Sequence, residues 1–464
     1  LPEKKGAKKL ISGAYFLHGQ DLRFECKIID PGTGKIENAI TPESGPVEDP
    51  FPAMVILQDR LIGGLAVNLD PDFKAVGRGI STPSYAAWKE CTEARRCESN
   101  MEFKKARGHY HKAYDLDNNF IFGRLREAFY FFALVNAAEV DLQRANAILE
   151  EVNKEREKLT PLEQAFLDWM KACLGNDLEG SLQASKKMMR YTPAAQFQYA
   201  QDCLVLNRAQ EAIEILNRPD TKPSVGGQED WLWRVKTIAY LKLDHRKKAL
   251  KAAYEALRLY PDRDDNLRNG IMALAALGRM KEISQRWEEH KDEKGILGHM
   301  SLAAQMLYFY GYKKAYSEVS NLVVDWHKRR VEEEAGKPDF RHSYAFSLYT
   351  AGRWEEAKNI WKQLAQEYPD DRRFNVYLGL IAAWQGDRDE ALRIENILEK
   401  MDRTFYFRGC IAALLGEKDR ALTLLKESLK EGETWLYLFK AGMRMELKPL
   451  LDYPPFQEFV KPKD

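Results

Sequence analysis

Long hydrophobic runs are missing from this 464-residue sequence: no stretch of 18 or more apolar residues occurs, so no segment reads as a bilayer span. An excess of one charge is missing too. The 71 Lys and Arg stand against 70 Asp and Glu, a net charge of +1. Proteins that hold nucleic acid neutralise phosphates with a basic excess or stripe, and nothing here supplies one. Cysteine is scarce. Cys26, Cys91, Cys97, Cys173, Cys203 and Cys410 are scattered without a CxxC or zinc-type spacing. Cys91 and Cys97 lie six apart on an expected helix, hence on different faces, which argues against a bridge between them. The other four fall at apolar positions and read as small buried hydrophobes. The chain opens on Leu1 with neither an initiator Met nor a signal-peptide pattern, and reads as a piece of something longer.

Catalytic signatures are equally absent. There is no Walker A or dinucleotide glycine loop, no HExxH and no GxSxG. His109 and His111 are two apart on an expected helix, which turns them roughly 200° from each other. They cannot share a metal on that element alone. Carboxylate runs such as Glu332-Glu333-Glu334 and Glu355-Glu356 sit in charged helical stretches and need no catalytic role. The expectation is a non-enzyme with no cofactor and no metal.

What is present is a soluble globular balance, 45% hydrophobic and 30% charged residues. A chain this long needs several domains or one repeat array. Its N-terminal part reads differently from the rest. Lys9–Leu17, Leu22–Ile29 and Lys35–Ile40 alternate apolar and polar residues and are broken by turns at His18–Asp21 and Asp30–Gly34. That is the pattern of a β-meander. Residues 50–68 then recur in apolar character at three and four, as a helix does. Three strands and one helix cover a sheet poorly, so residues 1–80 read as the second half of an α/β unit whose first half precedes Leu1.

From residue 81 a repeat takes over. In Ser343–Asp370, Gly352 ends one helix, Trp354 follows, Ala357 lies early in the next helix and Pro369 closes it. This is tetratricopeptide spacing. The glycine permits a tight turn between antiparallel helices, the alanine lets them approach, and the proline stops the second helix. The register returns at Gly386–Ala391 and Gly416–Ala421, upstream at Ala249, Ala256 and Pro261, and at Ala106 and Ala113. Weaker echoes are Ala145, Gly180, Ala212, Ile283 and Ala315. About ten helical hairpins are expected over residues 81–447, with a Pro/Gly-rich loop at Thr221–Gln228 and, at the mixed-charge stretch His327–Arg341, a solvated helix end and loop. Residues 448–464 would cap the open end through Leu450, Leu451, Tyr453, Phe456 and Phe459. The fold expected is mainly α, a tetratricopeptide-type α-solenoid superhelix preceded by a small partial α/β segment.

These residues also carry a family resemblance. LISGAYFLHGQDLRFECKIIDPGTGKIENAI and GPVEDPFPAMVILQDRLIGGLA resemble the TolB-amino-terminal-like segment of large bacterial signalling proteins. STPSYAAWKECTEA resembles the entry to their first tetratricopeptide repeat. KLTPLEQAFLDWMKACLGNDLEGSLQAS, GDRDEALRI, IAALLGEKDRALTLLKESL and KPLLDYPPFQEFVKPK resemble their later repeats and C-terminal end. In that family such a region follows a kinase, cyclase or winged-helix effector domain, often across one membrane helix. The resemblance implies a sensory or interaction region in the bacterial periplasm or on the outer side of the cytoplasmic membrane, with the cytoplasm as the alternative compartment. It carries over no functional residue.

The function expected is protein–protein interaction: a scaffold or sensory module holding a peptide or partner domain on the concave surface lined by the first helix of each hairpin. The alternative is a permanent structural subunit of an envelope or secretion assembly. Trp231, Trp233, Arg234, Tyr240, Tyr308 and Tyr310, on first helices near the middle of the array, are the candidate partner-binding residues, chosen for type and placement.

Overall fold

A computed structural model describes residues 8–70, 80–100, 102–132, 139–193, 195–218, 229–293, 295–334, 336–401, 404–434, 437, 439–440 and 444–463. Strands β1 (Leu10–His18), β2 (Asp21–Ile29) and β3 (Ile36–Pro46) form an antiparallel sheet in the order β1-β2-β3. Alternation on β2 and β3 turns Cys26, Ile28 and Ile40 to one face, where Leu57, Leu61 and Leu65 of helix α1 (Phe51–Leu69) cover them. β3 runs six residues past the expected end at Ile40, through Pro42 and Pro46. A proline costs little there because β3 is an edge strand, and a bulge opposite Glu25 absorbs Pro42. A Cβ on Gly64 would stand 2.9 Å from Ile40, and one on Gly63 would stand 2.1 Å from the Pro83 carbonyl oxygen. The pair lets α1 lie against both the sheet and the chain that follows.

The remaining long helices alternate as hairpins. They are α2 (Tyr85–Ser99) with α3 (Phe103–Leu116), α4 (Ile121–Phe132) with α5 (Glu139–Lys154), and α6 (Pro161–Leu174) with α7 (Leu178–Met188). Next come α8 (Ala195–Val205) with α9 (Ala209–Leu216), α10 (Glu229–Lys242) with α11 (Arg246–Leu259), and α12 (Asp264–Ala276) with α13 (Met280–His290). The last are α14 (Ile296–Phe309) with α15 (Lys313–Glu334), α16 (Pro338–Thr350) with α17 (Trp354–Glu367), α18 (Arg372–Trp384) with α19 (Arg388–Leu398), and α20 (Phe405–Leu414) with α21 (Lys418–Lys430). This is a tetratricopeptide-type α-solenoid fold behind a small three-stranded sheet.

One turn geometry repeats. Between the helices of successive hairpins the backbone turns left-handed at Asn176, Asn207, Asp244, Gly278, Gly311, Gly352, Gly386 and Gly416. The following residue's N–H then reaches the carbonyl five residues back, as in Arg353 to Leu348 and Arg208 to Cys203. Asn and Asp tolerate this conformation better than other non-glycine residues, which explains why three turns lack the glycine that marks the register in sequence. Five residues after each turn lies the close-packing position. Ala212, Ala249, Ile283, Ala357, Ala391 and Ala421 occupy it, fully buried. The geometry corrects two weak echoes by one residue: Ser181, not Gly180, and Tyr316, not Ala315, hold that position. The Gly180 N–H instead donates to the Asp177 carboxylate that caps α7 (2.8 Å).

Two compact units result: Leu1–Asp202 with Ile215–Glu229, and Cys203–Glu214 with Asp230–Asp464. In the first, the core runs from Val67 to Ala195, with Glu98 receiving hydrogen bonds from Arg126 and Tyr110. In the second, a core from Val324 to Val460 is aromatic-rich, and Trp361 stacks on Tyr377 at 4.4 Å. The charged stretch His327–Arg341 holds the expected helix end but is not wholly solvated. α15 ends within it at Glu334, and His327 is buried against Phe340 and Tyr344. The expected loop Thr221–Gln228 lies outside the described residues.

Candidate peptide-binding surface

The first helices of the second unit pack side by side, α12 on α14, α14 on α16, and α18 on α20. On this face lies the chain's own C-terminal segment. Pro449, Pro454 and Pro455 deny it a long helix. It forms only a 3-10 turn at Met445–Leu450 and a short helix α22 (Pro454–Val460). The turn packs on α14 and α20, and Met445, Leu447, Leu450 and Phe456 are at most 2% exposed.

Arg444 Nη2 donates to Tyr377 Oη (3.1 Å), and the guanidinium lies over the Tyr377 and Phe407 rings at 5.4 and 5.1 Å. Glu446 is fully buried, and its Oε1 accepts from Tyr349 Oη at 2.7 Å and from Arg444 at 3.4 Å. Trp384 Nε1 donates in turn to Tyr349 Oη (3.0 Å). Burial, and after it the Glu446 carboxylate, holds the Tyr349 hydroxyl protonated far above its usual range. Lys448 Nζ sits 4.2 Å from the Tyr308 ring centroid and donates to the Tyr308 carbonyl at 3.1 Å. Tyr453 hydrogen-bonds Asp419. At the far end, Asn207 Nδ2 donates to the carbonyls of Val460 (2.9 Å) and Lys461 (2.8 Å). The segment is thus seated as a peptide ligand is: basic groups on aromatic faces, one carboxylate on a phenol, and backbone carbonyls on an amide.

The six residues singled out in sequence are all half-buried. One of them, Tyr308, meets this segment as above; two meet the chain just before it, Tyr310 by donating to the Lys440 carbonyl (3.1 Å) and Arg234 through Tyr437 as well as Asp265 (3.0 Å). Trp233 lies under Lys236, and Tyr240 packs against His245 near Lys248. The structure places Trp231 on α10 with them and does not bring it to the segment's described contacts. Sequence reasoning passed over Tyr349, Tyr377, Trp384, Phe407 and Asn207. The signal of the four aromatics was a ring recurring on successive first helices, indistinguishable in one sequence from core packing, and Asn207 stands at a turn with no signal of its own.

A cavity of about 430 Å³ is lined by Tyr254, Arg258, Arg286 and His290. Its basic side chains each meet a carboxylate three residues on or back, Glu255, Glu289 and Glu293. His109 and His111 turn to separate partners, Glu90 for the first and Asp115 with Glu127 for the second. Among the described residues no cluster of His, Cys, Asp and Glu has the arrangement of a metal site. None of the six cysteines forms a disulfide, and no described helix is long and apolar enough to cross a membrane.

No protein-family model matches the chain, and no curated protein matches it. Solved structures do. A tetratricopeptide repeat protein from Parabacteroides merdae is similar at 14% identity and a TM-score of 0.36, covering 56% of this chain and 99% of that one. A Rap protein in complex with competence and sporulation factor gives 12% identity and 0.39, covering 77% and 100%. The TPR domain of P58(IPK) gives 16% identity and 0.19, covering 74% and 99%.

Proposed function

We propose that this chain is a non-enzymatic protein-interaction scaffold whose second unit receives an extended peptide segment on the first-helix face. One observation carries the reading: that face already holds such a segment, residues 444–460, through cation–aromatic contacts and buried hydrogen bonds. Trp231, Trp233, Arg234 and Tyr240 line α10 on the same unit and would extend the contact. The resemblance to bacterial signalling proteins supports a sensory region displayed on the outer side of the cytoplasmic membrane. The test is a quantitative pull-down with the full chain against the Trp231→Ala/Trp233→Ala variant. A specific partner should drop about tenfold or more with the variant, an interface loss of at least about 1.4 kcal/mol, while thermal unfolding stays unchanged. Identical recovery by both proteins would end the reading.

A second reading, a permanently clamped structural subunit, is favoured by the apolar surface of the first unit. Tyr15 and Leu17 of β1 and Phe51 and Val55 of α1 are more than 60% exposed. A single stoichiometric partner that survives high salt would support it, and recovery that is weak and salt-sensitive would exclude it.

A further inference from the structure

We propose that residues 444–460 are a displaceable internal ligand, and that the partner segment replacing them carries a basic side chain, a carboxylate two residues on, and apolar residues between and after. This deepens the scaffold reading and rests on it. The segment belongs to no hairpin. Its anchors lie 67 residues away at Tyr377, 97 at Tyr349, 140 at Tyr308 and 253 at Asn207, on elements that the repeat itself has already paired. A stretch so placed folds onto a preformed face, as a bound peptide does.

The chemistry of that face defines what fits. Tyr377 and Phe407 present ring faces to a guanidinium, Tyr308 presents one to an ammonium, and Tyr349, oriented by Trp384, offers its hydroxyl to a carboxylate. Between these polar seats Met445 and Leu447 fill apolar ones. The resident segment leaves two of its own polar atoms unpaired. Glu446 Oε2 and Arg444 Nε are buried without a hydrogen-bond partner among the described residues. A half-satisfied buried network is weaker than a fully paired one. A competing segment whose own basic and acidic groups are fully paired on this face is held more tightly than the internal one, which sets the direction of exchange.

Native-state hydrogen exchange on the full wild-type chain tests displacement directly. Amides of residues 444–460 are expected to exchange at least tenfold faster than those of α16 and α18, because the segment opens while the helices stay folded. A labelled synthetic peptide of residues 444–463 should also bind the Glu446→Ala full chain at least tenfold tighter than wild type, since that variant loosens its own occupant. Exchange of segment and helices at one rate overturns the proposal, because the segment then leaves only when the unit unfolds. Absence of peptide binding to a folded variant overturns it as well. If Glu446→Ala fails to fold, the wild-type exchange rates decide alone. None of these failures touches the scaffold reading, which the Trp231/Trp233 comparison decides separately.

Discussion

Asp202 on α8 gives the first unit an unusual response to acid. Its carboxylate accepts hydrogen bonds from Trp169 Nε1 (3.1 Å) and Gln198 Nε2 (3.2 Å), with the Ser185 hydroxyl close by. Burial outweighs these bonds and raises its pKa from 3.8 to about 6. The folded state therefore holds the proton more tightly than the unfolded chain. Stability from this group is fully present below pH 3.8 and is lost as pH rises through 6. The gap, at about 1.4 kcal/mol per pH unit, is about 3 kcal/mol. Asp202→Asn is neutral at every pH and escapes that loss, but its amide can accept from fewer of the three donors, at a cost of about 1 kcal/mol. The variant should thus be more stable than wild type by about 2 kcal/mol at pH 7.5, and no more stable, or slightly less, at pH 4. Urea unfolding of the full chain, followed by tryptophan fluorescence at pH 4, 5.5 and 7.5, reads this on the transition that reports Trp169. A difference between the two proteins that is the same at all three pH values would refute the account, as would a variant destabilised at pH 7.5.

His342 in the second unit works in the opposite sense. Burial, then the Arg373 charge, lowers its pKa from 6.5 to about 4, and its Nδ1 accepts from Trp361 Nε1 at 3.1 Å. It is neutral when folded, so up to about 3 kcal/mol is lost as pH falls from 6.5 through 4. His342→Phe should flatten the acid limb of the second unit's melting temperature, and a limb of unchanged slope would assign it to another group. Gly63→Val places a Cβ on the Pro83 carbonyl and should cost about 1–3 kcal/mol, measured by chemical denaturation, whereas Gly108→Ala, on α3 with open space at its Cβ position, should cost nothing. Asn207→Ala removes two hydrogen bonds to the C-terminal segment and strains a left-handed turn at φ 63°. It should destabilise by about 2–3 kcal/mol in urea unfolding, with Asn207→Gly recovering only the backbone share. Equal losses in the two variants would show that the turn conformation carries no strain.

The repeat was legible in the sequence because everything that makes a hairpin is local. A residue that accepts positive φ, a small residue five positions later, and a helix stop all fall within about 20 residues of one another, so spacing alone exposes them. Legibility failed where another residue does the same physical work. Asn176, Asn207 and Asp244 replace glycine at the turns, and Tyr316 and Ser181 stand where alanine is expected. Strand β3 outran its apolar pattern because only the finished sheet shows that its prolines lie at an edge and a bulge.

The candidate site was legible in kind but not in composition. An aromatic on a first helix that packs a neighbouring repeat and one that meets a peptide have the same spacing, so Tyr308, Tyr310 and Arg234 could be chosen while Tyr349, Tyr377 and Phe407 could not. Nor does RMELKP announce that its glutamate will be fully buried, since that depends on a tyrosine 97 residues earlier in the chain. Local periodicity determined the helices, their turns and their order. The stacking of those helices decided which face took the C-terminal segment, because contacts separated by 67 to 253 residues exist only once the repeats have assembled.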